Sequence, residues 1–387
     1  MKRLLLAATL VGLVATGCSS TGSGEESPPR GTPEQPGGPG GSSSASAPDE
    51  TTRPPRGPDC TSAIEGMSPR EQVAQLVVVG VDASDPAGAV ALVRDEQVGG
   101  IFIGGNATAL LSDNALAGVH DAARVPVSVA IDDEGGRVQR IDELDGNLPS
   151  AREMAATMTP DQVRDVAEER GKAMAARGVT VDYAPDVDLT DEPAGMAIGD
   201  RSFSADPDVA REYAQAFAEG LAAAGIEPVL KHFPGHGNAS GDSHTGAVTT
   251  PDLPQLREHD LKPYENIEDY GDVGVMVGHL TVPDLTGDEP ASIAAPAYEL
   301  LRDDYGFSGP VVTDDLGAMR AITDRYSLPE AVLKALQAGA DQALWSSGGQ
   351  VGPVLDRLEN AVATGELSQQ RVSESLDRVL RAKDACG

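Results

Sequence analysis

Eight short apolar runs recur between residues 76 and 344, separated by longer amphipathic stretches. The runs are 76–79, 100–103, 127–131, 180–183, 229–231, 273–277, 310–313 and 342–344. Helix-period stretches fall between most of them, as at 160–177, 207–224, 294–305 and 328–338, and two more, 351–363 and 368–383, close the chain. Strands that alternate with helices need crossover connections, which make the sheet parallel. Eight such strands predict an α/β fold, a single (β/α)8 TIM-like barrel with room for an irregular early strand. A doubly wound open sheet is the alternative. No G-x-G-x-x-G follows the first run, which argues against dinucleotide binding.

The segment before the first strand reads differently. Met1-Lys2-Arg3 is positive, and the apolar run 4–14 is too short for a stable membrane span. It leads into Ala15-Thr16-Gly17-Cys18, which resembles a bacterial lipoprotein signal. That resemblance implies cleavage before Cys18 and lipid on its sulfur; a plain secretory signal cut nearby is the alternative. Residues 18–59 are Gly, Ser, Pro, Thr and Glu with almost no large apolar side chain, and cannot bury enough surface to offset chain entropy. They read as a disordered tether reaching on the order of 35 Å. The expected layout is a signal peptide at 1–17, a tether at 18–59 and one barrel domain at 60–387. The protein is then exported and lipid-anchored to the outer face of the cell membrane. Cys60 and Cys386 flank the folded region, and in an oxidising compartment two leftover cysteines pair.

A net charge of -32 argues against nucleic acid or anionic lipid as partners. With a single Trp, the chain lacks the aromatic paving of a long polysaccharide cleft, which favours a small pocket gripping one sugar through hydrogen bonds.

Polar residues gather where the predicted strands end, the edge on which barrels carry chemistry. The third run enters Asp132-Asp133-Glu134-Gly135-Gly136-Arg137; the fourth precedes Asp186, Asp188 and Arg201; the fifth ends in Lys231-His232; the sixth meets His279; the seventh ends in Asp314-Asp315. Beyond the fifth strand, Pro234, Gly235, Gly237 and Gly241 enforce a loop that carries Asp242-Ser243-His244. An Asp-x-His loop past a strand end suits proton transfer. A metal site or an ordinary solvated turn would use the same residue types. At the seventh strand one Asp can cap the following helix while the other faces the barrel mouth. A carboxylate opposed by a histidine fits double-displacement glycoside hydrolysis, with His in place of the usual second carboxylate.

These segments, together with Arg201-Ser202-Phe203, Lys231-His232-Phe233-Pro234-Gly235-His236-Gly237 and Thr313-Asp314-Asp315-Leu316, resemble glycoside hydrolase family 3. They are most similar to its single-barrel β-N-acetylglucosaminidases, which act on peptidoglycan fragments. The resemblance implies that Asp314 is the nucleophile and His244 the general acid/base, with Asp242 its partner. It implies that Asp132, Arg201, Lys231 and His232 bind hydroxyls of the terminal sugar. It implies a retaining exo-β-N-acetylglucosaminidase, working as a monomer on a small carbohydrate without metal or organic cofactor. Asp133 stands where the family more often has His or Gln. His236 reads as a structural loop residue, His279 as pocket lining or core, and Trp345 as part of the pocket rim. Rival expectations are a phosphorylase of β-N-acetylglucosaminides, catalysis assisted by the substrate's own acetamide, and a lipoprotein that binds wall fragments without cleaving them.

Overall fold

The computed structural model describes residues 60–386. The expected signal peptide, Cys18 and the tether lie outside the described residues. Eight strands form one parallel sheet: β1 (Val77–Val81), β2 (Gly100–Ile103), β3 (Ser128–Ile131), β4 (Val181–Asp182), β5 (Glu227–Phe233), β6 (Gly274–Val277), β7 (Val311–Thr313) and β8 (Ala343–Trp345). The order is β8-β1-β2-β3-β4-β5-β6-β7, with Val77 paired to Ala343 and Val79 to Trp345. A parallel bridge between Val312 and Gln342, and the Thr313 N–H to Gln342 carbonyl bond of 3.1 Å, join β7 to β8 and close the cylinder. Closure excludes the open doubly wound sheet.

A helix follows each strand: α1 (Pro86–Glu96), α2 (Leu116–Ala122), α3 (Pro160–Arg177), α4 (Pro207–Ala223), α5 (Leu253–Glu258), α6 (Ala295–Glu299), α7 (Leu328–Ala338) and α8 (Val351–Thr364), with α9 (Gln369–Ala382) ending the chain. Their starts are written in the sequence. Thr159 and Gln162 form a reciprocal capping box ahead of Pro160, and Asp206 accepts from the amides of Asp208 and Val209 ahead of α4. Gly178 ends α3 at a φ of 95°, where a side chain would be strained.

Side chains alternate across a strand, so each barrel strand faces the helices with one set of residues and the lumen with the other. Val78, Phe102, Ala130, Val181, Val229, Met276, Val312 and Leu344, one from each strand, fill a single apolar lumen layer with Tyr183. Two residues further along, the same lumen face carries Asp132, Lys231, Asp314 and Ser346. The pleat therefore sets a polar layer directly on the apolar one, at the carboxyl ends.

The early strands β1 to β3 pair regularly, so no irregular early strand is present. Irregularity falls later, in the two-residue β4 and in a register shift between Leu230 and Phe233 of β5. The helix expected at 294–305 is α-helical only to Glu299, and a π-helical turn, Leu300–Asp304, follows. An unexpected parallel ribbon pairs Val248 with Leu280 and Thr249 with Thr281 near the mouth. Trp345 does not line the rim. It is fully buried, and its indole N–H donates to the Gly349 carbonyl at 3.2 Å. Alternation is the reason: Leu344 and Ser346 take the lumen side and turn Trp345 toward the helices. Cys60 and Cys386 are bonded, their Cα atoms 4.5 Å apart across a separation of 326 residues.

Candidate active site

The deep end of the mouth is an ion-paired lattice. Lys231 Nζ lies 2.8 Å from Asp132 Oδ1 and 2.6 Å from Glu134 Oε1. Arg201 grips Glu134 bidentately, both bonds 2.8 Å long, and stands 3.4 Å from Asp186 Oδ2. Burial alone would raise the Glu134 pKa, but the Arg201 and Lys231 charges overcome it and hold the carboxylate well below its usual range. Burial would likewise neutralise Lys231; Asp132 and Glu134 reverse this and hold its pKa above the usual lysine value. The lattice thus keeps its charges although its side chains are largely buried.

Beside it, Asp188 Oδ2 sits 2.7 Å from His232 Nδ1, and its Oδ1 accepts the backbone N–H of His236. Burial lowers the His232 pKa to about 4, which leaves a neutral ring oriented by Asp188. Burial and the neighbouring Asp188 raise Asp186 to about 8. Asp186, Asp188 and His232 offer ligand atoms within 4.8 Å of one another, a set of metal-ligand type. The Arg201 guanidinium already supplies positive charge there.

Asp314 and Asp315 divide two jobs. Asp315 Oδ1 accepts from the amides of Gly317, Ala318 and Ser346, at 2.8, 3.2 and 3.0 Å, so it ties down the chain after β7. Asp314, one pleat earlier, faces the pocket, and its Oδ1 accepts the Asp315 N–H at 2.8 Å. Burial would raise its pKa, yet His279 and His232 pull it below the ordinary carboxylate value. His279 is core: it is buried and bonded to Ser292 Oγ at 2.7 Å and the Asp315 carbonyl at 2.9 Å. An ionised, poorly solvated carboxylate is what a nucleophile requires.

Across the mouth, Asp242 Oδ1 accepts from both the backbone N–H and the ring Nδ1 of His244, at 2.9 and 2.8 Å. The pair stays wet, with side chains 41% and 66% exposed. Between them Ser243 is buried: its hydroxyl meets Met319 Sδ at 3.4 Å and its carbonyl accepts the Ala321 N–H at 3.2 Å. The loop is pinned at its middle to the segment that follows Asp314. One pocket of about 460 Å³ is lined by all seven residues singled out in the sequence as catalytic or sugar-binding: Asp132, Arg201, Lys231, His232, Asp242, His244 and Asp314.

A model of the glycosyl hydrolase family 3 N-terminal domain matches residues 68–382. The chain belongs to glycosyl hydrolase family 3. It is 52% identical over 324 residues to the β-hexosaminidase LpqI of Mycobacterium tuberculosis, covering 82% of this chain and 83% of that protein. A family 3 glycosyl hydrolase structure from Mycobacterium smegmatis superposes with a TM-score of 0.80 at 52% identity, covering 82% of this chain and 98% of that one. A family 3 β-N-acetylglucosaminidase from Paenibacillus sp. superposes with a TM-score of 0.75 at 29% identity, covering 83% and 63%. The chain is a glycoside hydrolase by these criteria.

The family 3 pocket also uses residues that the sequence left without a role. Glu134 is the hinge between Lys231 and Arg201. Arg140 lies 3.5 Å from Asp132, and its buried Nε has no hydrogen-bond partner. The pleat was the available signal: in Asp132-Asp133-Glu134 the outer two point one way and the middle one the other. Asp133 turns away and pairs with Arg170 of α3 at 2.8 Å, both side chains buried. His236, read as structural, serves Asp188 through its backbone and also lines the pocket.

Proposed function

We propose that the chain is a retaining exo-β-N-acetylglucosaminidase that releases terminal N-acetylglucosamine from peptidoglycan fragments or related oligosaccharides. One observation carries this: a buried, ionised Asp314 shares one pocket with an exposed Asp242-His244 pair at its edge. The names of the similar hexosaminidases support the substrate class. Asp314 attacks the anomeric carbon and forms a glycosyl ester while His244 gives its Nε2 proton to the departing oxygen. His244 then takes a proton from water, which hydrolyses the ester. Asp242 orients the ring through Nδ1 and turns Nε2 to the reacting oxygen. Asp132, Arg201, Lys231 and His232 hold the sugar hydroxyls. No cofactor enters the scheme.

We further propose a signal peptide at 1–17, lipidation of Cys18, a tether at 18–59 and export as a monomeric lipoprotein. Among the described residues no helix is long and apolar enough to cross a membrane, so anchorage in this scheme falls to the N-terminal lipid. Mass spectrometry of the mature N-terminus tests it; an unmodified Cys18, or cleavage elsewhere, rejects the anchor.

Turnover of a chromogenic N-acetyl-β-glucosaminide, lost in Asp314→Ala and in His244→Ala, tests the activity. Turnover that survives both substitutions rejects it. A sugar 1-phosphate formed at saturating phosphate would assign phosphorolysis instead.

A further inference from the structure

The polar lattice accounts for the deep end of the pocket but not for its whole extent. One N-acetylhexosamine, about fifteen non-hydrogen atoms at roughly 15 Å³ each, fills on the order of 200 Å³ when closely packed. The pocket, at about 460 Å³, has room beyond one such ring. Its outer wall includes Gly105, Gly195, Met196 and Ala197, none of them charged.

Met196 is unusual among these. The large apolar side chains exposed among the described residues are Met196, 46% exposed, and Val209, 37% exposed. Val209 lies in the first turn of α4, outside the pocket. A single exposed methionine ordinarily needs no explanation. This one lines the substrate cavity on a segment held in place with unusual thoroughness. The Arg137 guanidinium donates to the carbonyls of Met196, Ala197 and Ile198, at 2.7, 3.1 and 2.9 Å, and pairs with Asp200 at 2.9 Å. Arg152 donates to the carbonyls of Glu192 and Thr190, at 2.6 and 3.1 Å, and to that of Gly199. Two arginines thus brace an irregular segment through six of its carbonyls, and the segment presents an apolar side chain to water.

We propose that Met196 is the platform of a leaving-group subsite that takes the apolar face of a second pyranose ring. The proposal rests on the hexosaminidase assignment above and extends it to the aglycone. The axial C–H groups of a β-linked pyranose form a flat apolar face. A thioether, polarizable and adaptable, packs against such a face where an aromatic ring would otherwise stand. Arg137 is occupied by four oxygen acceptors, so it positions the platform and leaves recognition to Met196. The subsite therefore selects a carbohydrate leaving group over a small alkyl one.

The test compares two substrates of the full-length protein: the β-1,4-linked disaccharide of N-acetylglucosamine, and methyl N-acetyl-β-glucosaminide, which lacks the second ring. In Met196→Ala, kcat/KM for the disaccharide falls about five- to tenfold, mostly through KM, while the methyl glycoside stays within about twofold of the unsubstituted protein. Met196→Leu, which keeps the apolar bulk, retains most of the disaccharide preference. Equal losses on both substrates, or no loss on the disaccharide, overturn the subsite while leaving the hexosaminidase assignment intact. Failure of the unsubstituted protein to cleave either substrate overturns both.

Discussion

Asp242 Oδ1 receives two hydrogen bonds from one residue, His244, from the backbone N–H at 2.9 Å and from ring Nδ1 at 2.8 Å. An acceptor-only carboxylate facing Nδ1 fixes the proton there and leaves Nε2 to exchange protons with the reacting oxygen. Burial works against Asp242, but the His244 bonds hold its pKa below the usual value, so it remains a carboxylate through the neutral range.

Asp242→Asn keeps the shape of this arrangement and removes its charge. The expected result is a drop in kcat/KM, which reports formation of the glycosyl ester, on the order of 10²-fold for an alkyl glycoside, whose leaving oxygen needs a proton. For a nitrophenyl glycoside the drop is much smaller, because that leaving group departs unprotonated. Steady-state kinetics on the two substrates measures the difference. Equal losses would mean that Asp242 only shapes the loop.

Asp133 and Arg170 make a second prediction. Asp133 Oδ2 accepts the amides of Arg140 and Ile141, at 2.8 and 3.1 Å, while Arg170 pairs with the same carboxylate. The pair holds the strap whose neighbouring residues, Asp132, Glu134 and Arg140, enter the pocket. Asp133→Ala strands a buried guanidinium and should cost about 3–5 kcal/mol in urea denaturation. Arg170→Leu added to it should recover much of that loss, because the orphaned charge goes with it. A double variant no more stable than the single one contradicts the account.

At the opposite end of the lumen, Glu227 opens β5, half-buried near Lys383. Burial raises Glu227 to about 7, with Lys383 opposing, and lowers Lys383 to about 7, with Glu227 opposing. An acid whose folded pKa is raised binds its proton more tightly in the folded state. Its contribution is complete below the unfolded value, about 4.5, and is lost as pH rises through about 7. Glu227→Gln removes that dependence. The stability of the variant relative to the parent should therefore rise by roughly 2–3 kcal/mol between pH 4.5 and 7.5, measured by urea denaturation at each pH. A difference that stays constant across this window rules the titration out.

All eight barrel strands were legible as apolar runs, and α3 and α7 at their observed bounds, because caps, prolines and period are local properties. The polar layer was legible as charge at strand ends. What stayed hidden depends on which way a side chain turns. Asp314 and Asp315 are chemically identical neighbours, and their sequence does not say which one binds the amides that follow β7. The same half-turn hid Glu134 behind Asp132 and moved Trp345 from the expected rim to the helix layer. The partners of Asp186 and Asp188, and the ribbon at Val248 and Leu280, needed contacts between distant segments, which no local pattern reports.

In the proposed mechanism Asp314 becomes covalently bound to the sugar. Incubation with a 2-deoxy-2-fluoro-glycosyl donor bearing an activated leaving group, followed by peptide mapping, tests it most directly. The expected product carries a single added glycosyl mass, on the peptide containing Asp314, formed also by the His244→Ala variant because an activated leaving group needs no acid. No labelled peptide, from a preparation that still turns over N-acetylglucosaminides, would contradict it and point to the substrate's acetamide as the attacking group.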